Sequence, residues 1–128
     1  MESKQVIVSE RNRDIYKAYR RILKSIDAKN VPLCRIMQMV CNSPAPRFYI
    51  SIEQARRYVK AIEQGKNTGL KGCKAQMCQD LYDAYVSRRS SMPGYYKNAV
   101  LMTVVHSQAK SFYISPGRAY RILFPNKS

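Results

Sequence analysis

Apolar residues recur at helical spacing through most of this chain. Ile15, Tyr19, Ile22 and Ile26 line up one turn after another, Tyr16 and Leu23 widen the stripe, and Lys17, Arg20, Arg21 and Lys24 take the opposite face. That pattern predicts an amphipathic helix from Asn12 or Arg13 to near Ile26. Pro32, well placed at a first helical position, opens a second helix to about Cys41. Leu33, Ile36, Met37, Met39 and Val40 leave it only Arg35 and Gln38 as polar residues, and a helix apolar nearly all round belongs at the centre. Asn42-Ser43-Pro44-Ala45-Pro46 forbids its continuation. Arg47-Phe48-Tyr49-Ile50 then reads as a short strand or an extended lead-in, with Phe48 and Ile50 on one side. Ser51-Ile52-Glu53-Gln54 has the form of a capping box and starts a third helix, Ile52 to about Glu63, which buries Ala55, Tyr58, Val59 and Ile62.

The same order then returns. Phe48-Tyr49-Ile50-Ser51 with Ala55 and Arg57 reappears as Phe112-Tyr113-Ile114-Ser115 with Ala119 and Arg121, and Asp14-Ile15-Tyr16-Lys17-Ala18-Tyr19 matches Asp80-Leu81-Tyr82-Asp83-Ala84-Tyr85. Helices are expected over about Ala75 to Arg89, Tyr95 to His106 and Pro116 to Phe124. The expected fold class is mainly α: two tandem, pseudo-symmetric three-helix units, each with a short extended Phe-Tyr-Ile segment that pairs with its copy if it is a strand. The boundaries are an N-terminal arm at 1–13, a first unit at 14–63, a basic Gly-rich linker at 64–74, a second unit at 75–124 and a tail at 125–128. In the arm, Val6-Ile7-Val8 either adds a strand or stays mobile. A unit of roughly 50 residues is close to the lower limit for a core of its own, so the copies should pack on each other.

Charge narrows the function. The 128 residues carry 23 Lys and Arg against 8 Asp and Glu, a net charge of +15. Such an imbalance opposes compaction, and a polyanion that neutralises it is the economical explanation. No run is long and apolar enough for a membrane span, and the N-terminal arm lacks the apolar core of a signal peptide, so a soluble intracellular protein is expected, in the cytoplasm of a bacterial or phage-infected cell or inside a virion. Cys34 and Cys41, two turns apart on one helix face, are read as buried thiols. With Cys73 and Cys78 they lack the paired spacing of a zinc site, and no metal or cofactor is expected.

The succession of one helix, a buried helix, a turn and a capped helix resembles the trihelical helix-turn-helix units that bind DNA. The resemblance implies that the last helix lies in the major groove, so that Glu53, Gln54 and Arg57 in one copy, and Arg118 and Arg121 in the other, reach base edges. The connection from Asn42 to Ser51 is longer than that family uses. The aromatic-Ile-Ser block is also similar to small basic proteins of phages and mobile elements, which would imply DNA binding or a virion-associated structural role. Further phosphate contacts are expected from Arg20, Arg21, Arg88 and Arg89 at helix ends and from the basic face of Arg56, Arg57 and Lys60. Arg47 and Lys110 stand beside Tyr49 and Tyr113, which as exposed rings would suit single-stranded nucleic acid.

Catalytic signatures are missing from the sequence. His106, the lone histidine, falls near the end of an apolar helix, and no acidic pair, phosphate loop or nucleophile elbow is present. The expectation is a non-enzymatic protein that binds nucleic acid, duplex DNA ahead of RNA, with no membrane partner and with self-association left open. The competing expectation is an assembly protein whose Phe-Tyr-Ile segments contact other subunits.

Overall fold

The computed structural model describes residues 3–27 and 29–127. Met1, Glu2 and Ser128, assigned above to the arm and the tail, and Ala28, between the first two expected helices, lie outside the described residues. Six α-helices account for most of what is described: α1 (Lys4–Ser25), α2 (Leu33–Cys41), α3 (Ile52–Glu63), α4 (Gly72–Ser91), α5 (Lys97–Val105) and α6 (Pro116–Leu123), with a 3-10 turn at Pro125–Lys127. The protein is thus mainly helical, as the periodicity predicts.

Local chemistry sets the helix ends. Ser51 Oγ accepts from the Gln54 amide at 3.2 Å and Ser115 Oγ from the Arg118 amide at 3.2 Å, so both anticipated caps form. Gln54 turns its own Oε1 to Arg57 Nη1 at 3.2 Å. At the far end of α3, Gly65 lies at φ 70 while its N–H donates to Ile62 and that of Lys66 to Ala61. This is the left-handed glycine ending that satisfies two orphan carbonyls.

The N-terminal arm corrects the sequence reading, because it is neither a strand nor mobile. Ser3 caps α1 through the Val6 amide at 3.2 Å, the helix runs unbroken through Val6, Ile7 and Val8, and Ile7 is buried. A consecutive β-branched run lowers helix propensity slightly, and packing of one face overrides that preference.

The larger correction concerns which helices meet. α1 packs on α2 and α6, whereas α4 packs on α5 and both pack on α3. No contact joins α3 to α1 or α2. The third helix predicted for each consecutive unit therefore lies against the first two helices of the other. The Phe-Tyr-Ile segments carry the chain across. Just ahead of them the chain forms a single antiparallel bridge, with the Ala45 amide donating to the Ala109 carbonyl at 3.0 Å and the reverse bond at 2.9 Å. Phe48 N–H donates to Val105 and Phe112 N–H to Cys41, so each segment is tied to the end of a helix in the other half. No strand forms among the described residues; side chains join the segments instead. Phe48 stacks on Tyr113 with centroids 6.1 Å apart, and Tyr49 on Phe112 at 5.9 Å.

This crossing is the middle of the core. Phe48, Ile50, Phe112 and Ile114 are buried in one continuous apolar cluster with Ile15, Val40, Leu81, Val100 and Val104. Burying a side chain of that size contributes about 1.5–3 kcal/mol, so the repeated segments serve the interior and are not free to contact other subunits. Tyr113 sits at φ 56, a region that bulky residues rarely enter.

Candidate nucleic-acid interface

Positive charge faces outward here and negative charge is engaged. Every Lys and Arg whose side chain is described, Arg11 and Arg47 excepted, is exposed. Most of the described acids have specific partners. Asp14 Oδ2 accepts from Tyr49 Oη at 2.6 Å and Asp80 Oδ2 from Tyr113 Oη at 2.7 Å. Glu10 meets Arg47 Nη1 at 3.3 Å, Asp27 accepts from the Asn30 side chain at 2.6 Å, and Asp83 accepts from Gln79 Nε2 at 3.0 Å. Glu63 is shared between Lys97 Nζ at 3.3 Å and Arg89 Nη1 at 3.7 Å. Asp14 and Asp80 accept from phenols, and of the two only Asp14 also meets a surface cation among the described residues, Arg13 at 4.0 Å, so the outer field stays positive.

Two of the anticipated contacts do not survive. Arg47 is 4% exposed. It donates from Nε to the Phe48 carbonyl at 3.0 Å and from Nη2 to the Ile50 carbonyl at 3.2 Å, and it pairs with Glu10, so it braces the crossing segment and cannot reach a phosphate. Tyr49 and Tyr113 are half-buried and not exposed rings; each has one face stacked on a phenylalanine and its hydroxyl held by a carboxylate. Burial foremost, then the neighbouring acid, holds both phenols above the usual tyrosine range.

The remaining candidates are on the surface. Arg20 is exposed, its guanidinium 5.9 Å from the Tyr16 ring centroid. Arg21 and Lys17 border a shallow groove with Pro44, Pro46 and Gln108. Arg88 and Arg89 end α4, where the helix dipole favours cations. Arg57 and Arg121 are exposed on α3 and α6, Lys110 lies on the crossing segment, and Gln54 is half-buried behind Arg57. Because α3 docks on α4 and α5 and not on α2, the helix pair that the trihelical resemblance requires is absent from residues 33–63. Arg118, in the first turn of α6, lies close enough to Arg11 that its charge, after burial, lowers the hold of the Arg11 guanidinium on its proton. Arg11 escaped the sequence reading because its segment was taken for a loose arm.

Arg56 and Lys60 do more than line a solvated face. With Lys97 and Asn98 of α5 they border a cavity of about 520 Å³ between α3, α4 and α5. Tyr85, Lys97 and Asn98 in that setting were also missed. Their signal in the sequence is a failed match between copies: Tyr120 and Phe124 stand where Arg56 and Lys60 are expected.

The thiols divide. Cys41 and Cys78 are buried, and burial pushes Cys41 up to about 11, whereas Cys34 and Cys73 are exposed. The expectation of a buried Cys34 is thereby corrected; it lies at the exposed start of α2. His106 caps the end of α5 as an exposed residue and not inside the core. Among the described residues no three His, Cys, Asp or Glu side chains are grouped to hold a metal, and no helix is long and apolar enough to cross a membrane.

Comparison of the chain with protein-family models, with curated proteins and with solved structures finds no match.

Proposed function

We propose that this protein binds nucleic acid, duplex DNA in preference to RNA, through phosphate contacts made by its exposed helix faces. The observation that carries the reading is the asymmetry of charge. Nearly every cation is outside, while Asp14 and Asp80 face the inward tyrosines and Glu10 faces buried Arg47. A net charge of +15 displayed in this way raises the local concentration of any polyanion and gains free energy from released counterions.

The two arrangements related by sequence, α1–α2–α6 and α4–α5–α3, form in this reading one fused pair of basic three-helix units whose last helices have been exchanged. Arg57 and Arg121 are then matched contacts on α3 and α6, with Arg20, Arg21, Arg88, Arg89, Arg118 and Lys110 adding sequence-independent attraction. Fluorescence anisotropy of a labelled duplex tests this. The logarithm of the affinity should fall linearly with the logarithm of salt, with a slope of about −4 or steeper if five or more phosphates are neutralised. A salt-independent affinity, or no binding at low salt, overturns the reading.

A second reading, an assembly protein, loses the contact surface first expected for it, because the Phe-Tyr-Ile segments are interior. Tyr95 and Tyr96, the latter 87% exposed, are the apolar residues that would serve such contacts instead.

A further inference from the structure

The cavity between α3, α4 and α5 has features that general surface charge does not explain. Tyr85, on its wall, is 1% exposed, yet its hydroxyl has no hydrogen-bond partner among the described residues. A buried hydroxyl without a partner is disfavoured, and natural folds retain one where something else satisfies it. The same cavity is lined by Arg56 and Lys60 from α3 and by Lys97 and Asn98 from α5. The α5 N-terminus begins at Lys97 without a side-chain cap, which leaves its first amides to be satisfied from outside the helix, and Lys97 and Asn98 of that first turn line the cavity. Unpaired amides at a helix start, added to cations, attract a phosphate. Val59, Leu101 and the Tyr85 ring supply an apolar floor.

The chain contains its own control. By sequence register, Tyr120, Leu123 and Phe124 take the places of Arg56, Val59 and Lys60, while Leu33 and Cys34 take those of Lys97 and Asn98. Tyr19, the counterpart of Tyr85, packs edge-on against Phe124 at 5.8 Å, and Phe124 lies 5.1 Å from Tyr120. Aromatic rings fill that position in one half of the molecule; in the other, the same position is open and cationic, and one residue of its wall, Tyr85, has a buried hydroxyl without a partner among the described residues. A merely structural role would have been met equally well by the aromatic filling.

We infer that this cavity is a binding site for a nucleoside phosphate, either a free nucleotide or the 5′-phosphorylated end of a strand. The phosphate meets Arg56, Lys60 and the start of α5, the base or sugar lies on the Val59, Leu101 and Tyr85 floor, and Tyr85 Oη bonds a polar atom of the nucleoside. A volume of about 520 Å³ accommodates a ligand of that size. Glu63 is held back by Lys97 and Arg89. This site is separate from duplex binding by Arg57 and Arg121, and either can fail without the other.

Calorimetric titration of the intact chain tests the assignment, with AMP, GMP, adenosine and inorganic phosphate as separate probes, and a short single strand with and without a 5′-phosphate distinguishing the two sources. Saturable binding of a nucleotide or of the phosphorylated strand, at least tenfold tighter than phosphate or adenosine, is expected. Tyr85→Phe should weaken that binding about tenfold while melting at or above the parent temperature, because it deletes a hydroxyl that has no partner among the described residues. The variant Arg56→Tyr with Lys60→Phe, which installs the residues of the other copy, should remove binding and retain the fold. No saturation by millimolar nucleotide, phosphate bound as tightly as nucleotide, or a Tyr85→Phe variant that melts lower and binds normally overturns the assignment. The duplex salt titration, run in parallel, shows whether general nucleic-acid binding stands regardless.

Discussion

Replacing Tyr113 by Phe separates two contributions of one residue. The hydroxyl donates to Asp80 Oδ2 at 2.7 Å, and Asp80 is 8% exposed. The ring lies on Phe48 with planes 14° from parallel. Phenylalanine keeps the stack and deletes the donor, leaving the carboxylate with Gln76 Nε2 at 2.9 Å. A hydrogen bond to a charged acceptor contributes about 1.5–3 kcal/mol net, and since Gln76 remains, a loss of about 2 kcal/mol is expected. In a chain of this length that lowers the melting temperature by about 6–10 °C. Tyr113→Ala loses the half-buried ring as well and should destabilise by about 3 kcal/mol or more, the lower end of what buried aromatic truncations cost. Since φ is 56 at this position, both variants inherit the same backbone strain, so the difference between them reports the ring alone. Urea denaturation followed by circular dichroism measures both. If Tyr113→Phe stays within about 0.5 kcal/mol of the parent, as an unremarkable surface change would, the phenol-carboxylate bond does not hold the crossing together. Tyr113→Ala no worse than Tyr113→Phe would refute the role assigned to the stack.

Further expectations concern charge, pH and thiols. Arg47→Ala should destabilise by about 2–4 kcal/mol, since it removes a donor from the Ile50 and Phe48 carbonyls, of which Phe48 keeps the Ile50 amide, and unpairs Glu10; a variant as stable as the parent in urea refutes its bracing role. Arg57→Ala with Arg121→Ala should instead leave the melting temperature almost unchanged and weaken duplex binding by on the order of 2 kcal/mol, about thirtyfold. Tyr49, Tyr113 and Cys41 all hold their protons more tightly when folded. The unfolded chain therefore releases protons first, so stability is full below pH 9, the ordinary thiol value, and declines as pH rises through about 11. Denaturation midpoints that do not fall between pH 8 and 11 would contradict this. A thiol reagent at neutral pH should label Cys34 and Cys73 fast and Cys41 and Cys78 slowly; four equal rates would contradict the burial.

Local chemistry was legible in the sequence and partnership was not. Ser51, Ser115 and Pro116 announce their helix starts because capping needs only a few neighbouring residues. The exchange of α3 and α6 left no trace, since Ala55 and Val59 present the same apolar face to α4 and α5 as they would to α1 and α2. The length of the Asn42 to Ser51 connection was the one hint, as a chain that crosses to a distant partner needs more residues than a tight turn. Arg47 was misplaced because residue type does not disclose burial. Its match in the second copy is Ser111, a non-basic residue, which already set it apart from Arg57 and Arg121. The α3–α4–α5 cavity was visible only as a mismatch, because a repeat advertises what its copies share, whereas a binding site is found where they diverge.

During synthesis, α3 emerges from the ribosome well before α5, yet its buried face fits only helices that have not been made. Until Val105 has been added, Ala55 and Val59 must wait uncovered or rest against the wrong neighbours, and α1 with α2 waits longer still for Ala119. Folding is thereby deferred until α6 has been made, and two chains made side by side could close each other's halves.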